Sequence, residues 1–357
     1  MQPRERVLMA MRREGIPDRM PFEISWGAFT PAIMEKYHNI TGAALPPEEY
    51  FDFDVRTVGV APSIKHRNIS IYFDEALPED AVFDEFGAGG VRGSQDHFLE
   101  FRYHPLAKAR TVEDIRAYQW PDLDADYRYE GLKEQVKVYH DRGYAVTGDM
   151  YSTIFETAWM LRGLEQLLID FYEEPELIHE LCEQITSLRI TQAQKYAQTG
   201  VDIIRLGDDV ATQLAPMISP CLYREFFQSR MKRIVDAGKN INPTVLYFLH
   251  SCGKVESMIP YFLEEGIDIL NPVQPECNDL EKIARLYGDK ISFWGGIGTQ
   301  TTMPFGTPDD VGEKVRHVQR ILGKNGGLLI APSHILEPEV PWENITAFIE
   351  NAKKSYY

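Results

Sequence analysis

Residues Val245–Ile297 read VLYFLHSCGKVESMIPYFLEEGIDILNPVQPECNDLEKIARLYGDKISFWGGI. Three apolar runs stand in it: Val245–His250, Ile267–Val273 and Ile291–Ile297. Two helical patterns, Lys254–Glu265 and Leu280–Tyr287, separate them. Short apolar runs alternating with helices predict parallel βαβ units, because each crossover helix carries the chain back to the same end of the sheet. The unit recurs outward in both directions. Upstream lie Pro21–Trp26 (PFEISW), Tyr144–Gly148 (YAVTG) and Asp202–Leu206 (DIIRL), and downstream lies Leu328–Ala331 (LLIA). Val55–Val60 (VRTVGV) is a weaker eighth candidate.

Helical periodicity also marks Glu176–Gln198, Pro220–Ala237, Pro308–Leu322 and Trp342–Lys354. Ser219 before Pro220 is a cap followed by a residue suited to the first helical turn. The expected class is α/β: one (β/α)8 TIM barrel over residues 1–357, with a doubly wound sheet as the competing architecture. The opening MQPRERVLMAMRREG predicts an N-terminal amphipathic helix. Residues 65–120 break the rhythm with the short runs Ile69–Phe73 and Leu99–Tyr103 and the Gly-rich FDEFGAGG (Phe83–Gly90). They read as a β-hairpin insertion covering one end of the barrel, or as a structural excursion with no part in the site.

The chain has 357 residues, 37 basic and 54 acidic, for a net charge of −17. Its 44% hydrophobic and 25% charged residues are globular values, which exclude a disordered chain or a disulfide scaffold. Lys and Arg form no run that would track phosphates, so nucleic acid is excluded as a partner. No stretch of about 18 apolar residues is present, so no membrane span is expected. No apolar signal-peptide core follows the N-terminus, so reduced cysteines and a cytoplasmic location are expected. A homodimer stays open.

Barrel active sites lie at the C-terminal ends of the strands. His250 and Cys252 stand two residues apart at such an end and share a side. Imidazole and thiolate suit zinc, and His334 after the last strand is the candidate third ligand. The alternative is a buried Cys and a satisfied His with no metal. Asp208 and Asp209 follow one strand, and Glu156 follows another. They are candidate catalytic groups, able to orient a substrate or hand on a proton, or else an ordinary turn and helix start. Trp26, Phe29, Tyr151, Asn271, Gln274 and Trp294 are candidate substrate contacts, with the aromatics open to a core role. The glycines of Trp294–Gly298 read as close backbone packing, since no Rossmann or Walker pattern accompanies them.

Several stretches together carry a family resemblance: ERVLMAMRREGIPDRMPF (Glu5–Phe22), LHSCG (Leu249–Gly253), GIDILNPVQ (Gly266–Gln274), WGGI (Trp294–Ile297) and APSHILEPEVPWENITAFIENAK (Ala331–Lys353). The chain resembles the uroporphyrinogen decarboxylase superfamily over nearly its whole length, which implies a (β/α)8 barrel. The superfamily's decarboxylases work without metal and hold a polycarboxylate with an Arg pair after the first strand. Ser25–Thr30 holds no Arg here, and a buried carboxylate without a cation costs several kcal/mol.

The chain is more similar to the branch of zinc methyltransferases that work with corrinoid proteins. In that branch an H-x-C motif matches His250 and Cys252, and a Cys stands near the position of His334. The resemblance then implies Zn2+ held by His250, Cys252 and His334. It also implies a corrinoid (cobalamin) protein as partner and a small methylated, methoxylated donor as substrate. Fewer anionic ligands make the metal a better Lewis acid, which points to O-demethylation, with methyl transfer to a thiol as the alternative. A metal-independent decarboxylase, handling protons through Asp54, Tyr151 or His334, is the competing enzyme class. A non-catalytic scaffold that kept the barrel is the remaining class.

Overall fold

The computed structural model describes residues 1–24, 29–93 and 99–356. Its main sheet contains β1 (Val55–Val58), β5 (Ala145–Met150), β6 (Ile203–Gly207), β7 (Leu246–His250), β8 (Ile269–Asn271), β9 (Ser292–Ile297) and β10 (Leu328–Pro332). All seven are parallel and pair in chain order. Among the described residues the eighth position is a single bridge, Phe22 with Ile330. Ile330 N–H donates to Pro21 O at 2.9 Å on one side, and Asp54 N–H donates to Phe22 O at 3.2 Å on the other. This short segment joins the two edges of the curled sheet and completes the barrel. The weaker strand candidate at Val55 is thus a full strand, and of the candidate Pro21–Trp26, whose Ser25 and Trp26 lie outside the described residues, Phe22 makes a bridge.

Strand alternation sets one row of side chains inside the barrel. Val55, Ala145, Ile203, Leu246, Phe248, Ile269, Trp294, Leu329 and Ala331 form an inner core, joined by Val7, Ala10 and Met11 of the N-terminal helix Pro3–Met11. That helix plugs the N-terminal end. A second, larger core lies between the sheet and the surrounding helices.

The helices Pro175–Thr199, Leu280–Tyr287, Pro308–Leu322 and Trp342–Ala352 form where periodicity placed them. The helix expected from Lys254 begins at Ile259 after a 3-10 turn, with Pro260 in its first turn. A proline there gives up no helical hydrogen bond. The helix from Pro220 runs on to Ile241 through a π turn at Arg224–Gln228. Its Ser219 side chain accepts from Leu222 N–H at 3.2 Å, the cap expected there.

The insertion forms an antiparallel sheet of β2 (Val82–Phe83), β3 (Gly89–Arg92) and β4 (Leu99–Tyr103). Ile69–Tyr72 is a 3-10 turn, not the strand its alternation implied. Asp84, Glu85 and Phe86 of the insertion line a cavity with Val58, Met150 and Tyr151, so it stands over the C-terminal end of the barrel.

Candidate metal centre at the mouth of the barrel

His250 ends β7, Cys252 follows in the next turn, and His334 follows β10. Gly253 makes the turn possible. Its φ is +85°, and a Cβ there would stand 2.5 Å from Thr212 O. Only glycine fits.

One ligand atom from each of His250, Cys252 and His334 lies within 4.8 Å of the others. Cys252 Sγ is 3.4 Å from His250 Nε2. Bond lengths of about 2.0–2.1 Å for Zn–N and 2.3 Å for Zn–S in a tetrahedron require an N to S edge of about 3.5 Å. The donor set and its spacing therefore fit zinc.

The surroundings fix the His250 tautomer. Asn271 Nδ2 donates to Trp294 O at 2.7 Å, which turns Asn271 Oδ1 toward the ring, 2.5 Å from His250 Nδ1. An amide oxygen only accepts, so Nδ1 carries the proton and Nε2 keeps its lone pair. A metal-ligating histidine needs that arrangement.

Asp209 Oδ1 accepts from Cys252 N–H at 2.7 Å and lies 3.6 Å from His250 Nε2. Asp208 is buried, and its carboxylate accepts three backbone N–H groups, from Ile154 (2.9 Å), Phe155 (3.1 Å) and Glu156 (2.9 Å). It caps the helix Phe155–Arg162 from another βα unit. Burial still pushes its carboxyl up to about 6. Glu156 Oε2 faces Gly207 at the end of β6. Burial, then Asp209 and Asp208, raises the Glu156 carboxyl well above the ordinary range.

The expected substrate contacts divide. Gln274 lines a cavity of about 380 Å³ with Cys252 and His334, and its Oε1 accepts from Gly253 N–H at 3.2 Å. Tyr151 lies half exposed on the other side of the mouth, its hydroxyl on Asp149. Asn271 acts on His250 from behind. Trp294 is buried in the inner core, with its ring against Phe248 and its Nε1–H donating to Glu23 at 2.9 Å. Phe29 packs among Tyr37, Phe51 and Trp342. Trp26 lies outside the described residues. Asp54, the proton-handling candidate of the decarboxylase reading, stands before β1 at the opposite end of the barrel, bound by Arg6 and Arg19.

A charged group inside the barrel was not expected. Arg205 in β6 is 0% exposed and points inward. It donates to both Asp149 oxygens, at 2.6 and 2.8 Å, and to Thr57 Oγ1 at 2.9 Å, with Glu23 at 3.7 Å. Within the apolar run DIIRL, only its period-2 position could have signalled this.

A family model described as uroporphyrinogen decarboxylase (URO-D) matches residues 102–355. A uroporphyrinogen decarboxylase of Coxiella burnetii is 21% identical over 253 residues, 68% of this chain and 66% of that protein. The chloroplastic uroporphyrinogen decarboxylase 2 of Arabidopsis thaliana is 22% identical over 260 residues, 71% of this chain and 63% of that protein. The match thus spans about two-thirds of these relatives' length. A solved methyltransferase from Methanosarcina mazei shares the fold with a TM-score of 0.70 at 17% identity, covering 99% of this chain and 98% of that chain. Among the described residues no helix is long and apolar enough to cross a membrane.

Proposed function

The chain belongs to the uroporphyrinogen decarboxylase family, and on that premise we propose that it is a zinc-dependent methyltransferase. It moves a methyl group from a small methoxylated donor to the Co(I) corrinoid of a partner protein. The observation that carries this reading is the gathering of His250, Cys252 and His334, with the His250 tautomer set by Asn271. The likeness of fold to a protein named as a methyltransferase supports it.

Zinc held by these three residues supplies a Lewis acid for the donor oxygen. The rest falls to the chain. Asp209 fixes the Cys252 turn through its amide. Asp208 sets the helix that carries Glu156. Glu156 holds a proton beside the site and delivers it to the leaving oxygen. Gln274 and Tyr151 line the approach from two sides.

The test is methylation of a Co(I) corrinoid protein by methyl ethers, run beside coenzyme M and homocysteine as thiol acceptors. Transfer from an ether, dependent on zinc, is the expected result. Transfer only to the thiols moves the reading to a methylcobamide:thiol methyltransferase. No transfer in either direction refutes both. The curated relatives favour a second reading, a metal-independent decarboxylase. It predicts activity that survives chelation.

A further inference from the structure

The turn Ser251–Lys254 carries the proposed ligand Cys252 and lies outside helix and strand. Its amides are nonetheless all bonded, alternately to the two neighbouring βα units. On the side of β8, Ser251 N–H donates to Asn271 O at 2.9 Å and Gly253 N–H to Gln274 Oε1 at 3.2 Å. On the side of β6, Cys252 N–H donates to Asp209 Oδ1 at 2.7 Å and Lys254 N–H to Thr212 O at 2.9 Å. Such a stretch has no regular ladder of its own, so these outside partners set its path. A cysteine has one torsion before its sulfur, so the path of the turn also sets Sγ.

Gly253 is grasped at both ends of its backbone. Gln274 Oε1 takes its N–H, and Asn278 Nδ2 donates to its carbonyl at 2.8 Å. The same Nδ2 donates to Gln274 O at 2.9 Å, which joins the two halves of the clasp. Gln274 Nε2 in turn reaches Gln213 Oε1 at 3.3 Å, in the loop after β6. Asn278 is buried, and its Oδ1 finds no partner among the described residues. An orphaned buried oxygen costs about 1–3 kcal/mol. Turning the amide over does not recover that cost, because Oδ1 would then face the two carbonyl oxygens. The orientation that the fold accepts is the one that holds Gly253.

Resting on the metal site of the methyltransferase reading, we infer that Gln274 and Asn278 are positioning residues for the Cys252 thiolate. The Gln274 carboxamide is engaged at both ends, so its place in the cavity wall follows from its hold on Gly253. Without the clasp the turn gains freedom, and the sulfur leaves the 4.8 Å grouping that the three donors share. His250 keeps its place, because it ends β7 and its ring answers to Asn271. The clasp therefore acts on the sulfur ligand and spares the nitrogen ligands.

The test reads the two kinds of ligand separately. The chain is loaded with Co2+ in place of zinc and titrated against a competing chelator. Sulfur-to-cobalt charge transfer reports the thiolate, and the visible ligand-field bands report cobalt held by any donors. Asn278→Leu keeps the bulk of the side chain and removes its donors. It should weaken cobalt and zinc binding about 10- to 100-fold, with loss of charge transfer relative to the ligand-field bands at saturating cobalt. Gln274→Leu should do the same from the other side of Gly253, and it decides the matter if Asn278→Leu does not fold. A folded variant with a lower urea midpoint but both signals and its metal affinity intact has lost only packing, which overturns the inference. If the wild-type chain binds cobalt through sulfur and the variants lose that signal, yet no methyl group is transferred, the clasp stands and the methyltransferase reading falls. If the wild-type chain binds no cobalt, the metal site and the clasp fall together.

Discussion

The two ends of the barrel treat buried carboxylates in opposite ways. At the N-terminal end Asp54 is 0% exposed and lies 2.6 Å from Arg6 and 2.7 Å from Arg19. Asp202 there meets Arg4 at 2.9 Å and His140 at 2.8 Å. At the C-terminal end Asp149 keeps an ion pair with Arg205, but Asp208 and Asp84 rely on backbone amides. Asp208 takes three of them, and Asp84 takes those of Phe86 and Ala88, each at 2.9 Å. Glu156 is pressed between Asp208 and Asp209. Paired charges hold a fold together, whereas crowded acids raise one another's proton affinity. The first end is built for stability and the second for chemistry, as barrels generally divide.

The sharpest break of that comparison comes at the mouth. His250→Ala or Cys252→Ala should take zinc from about one per chain to near zero and methyl transfer down by at least about 1000-fold. Metal analysis beside the transfer assay checks both, and a variant that keeps its zinc contradicts the proposed ligands. Glu156→Gln should leave zinc in place and lower kcat by about 100- to 10,000-fold. It should also remove the basic limb of the pH profile, which a purely structural role would not.

At the other end, Asp54→Ala takes a carboxylate partner from Arg19 and from Arg6, which keeps only Asp18. Breaking such a buried pair costs about 3–5 kcal/mol. Urea unfolding should show that loss, with zinc content per folded chain unaltered. Asn271→Ala is a subtler change, expected to weaken zinc affinity by about 10- to 100-fold in chelator competition through the freed His250 tautomer.

The smallest effect separates the ends by pH. Burial raises Asp84 to about 6, against an unfolded value near 3.9. Its folded form binds the proton more readily, so its contribution is greatest below about pH 4 and is lost as pH rises through 6. Asp84→Asn should flatten the stability slope between about pH 4 and 6, a difference of roughly 1–3 kcal/mol. For Asp202 burial alone acts upward, yet His140, Arg4 and the Val146 amide hold its carboxyl below the ordinary value. Its contribution is present above about pH 4 and is lost as pH falls further. Unfolding midpoints across this range test both signs.

Much of the candidate metal centre was legible because its parts are local. His250 and Cys252 are neighbours in sequence, and a strand-end pattern announces where they stand. Asp208 was legible as a residue but not in its role, because the three amides it caps belong to a helix more than fifty residues earlier. Trp294 and Phe29 looked like contacts for a substrate, and the rings of Phe248, Tyr37, Phe51 and Trp342 engage them instead. An aromatic residue has the same pattern in sequence whether its neighbour is a ligand or another ring.

The amino-acid sequence by itself determined the parallel βαβ order, the N-terminal helix, the insertion and the metal-donor types. Periodicity, capping residues and ligand chemistry are properties of short segments. Tertiary structure alone decided that Val55–Val58 is a full strand while Phe22 supplies one bridge. It also decided that Arg205 faces inward to hold Asp149, and that His334 reaches the other two donors across the mouth. Each of these depends on how a closed sheet brings distant strands to one axis, and no local pattern encodes that closure.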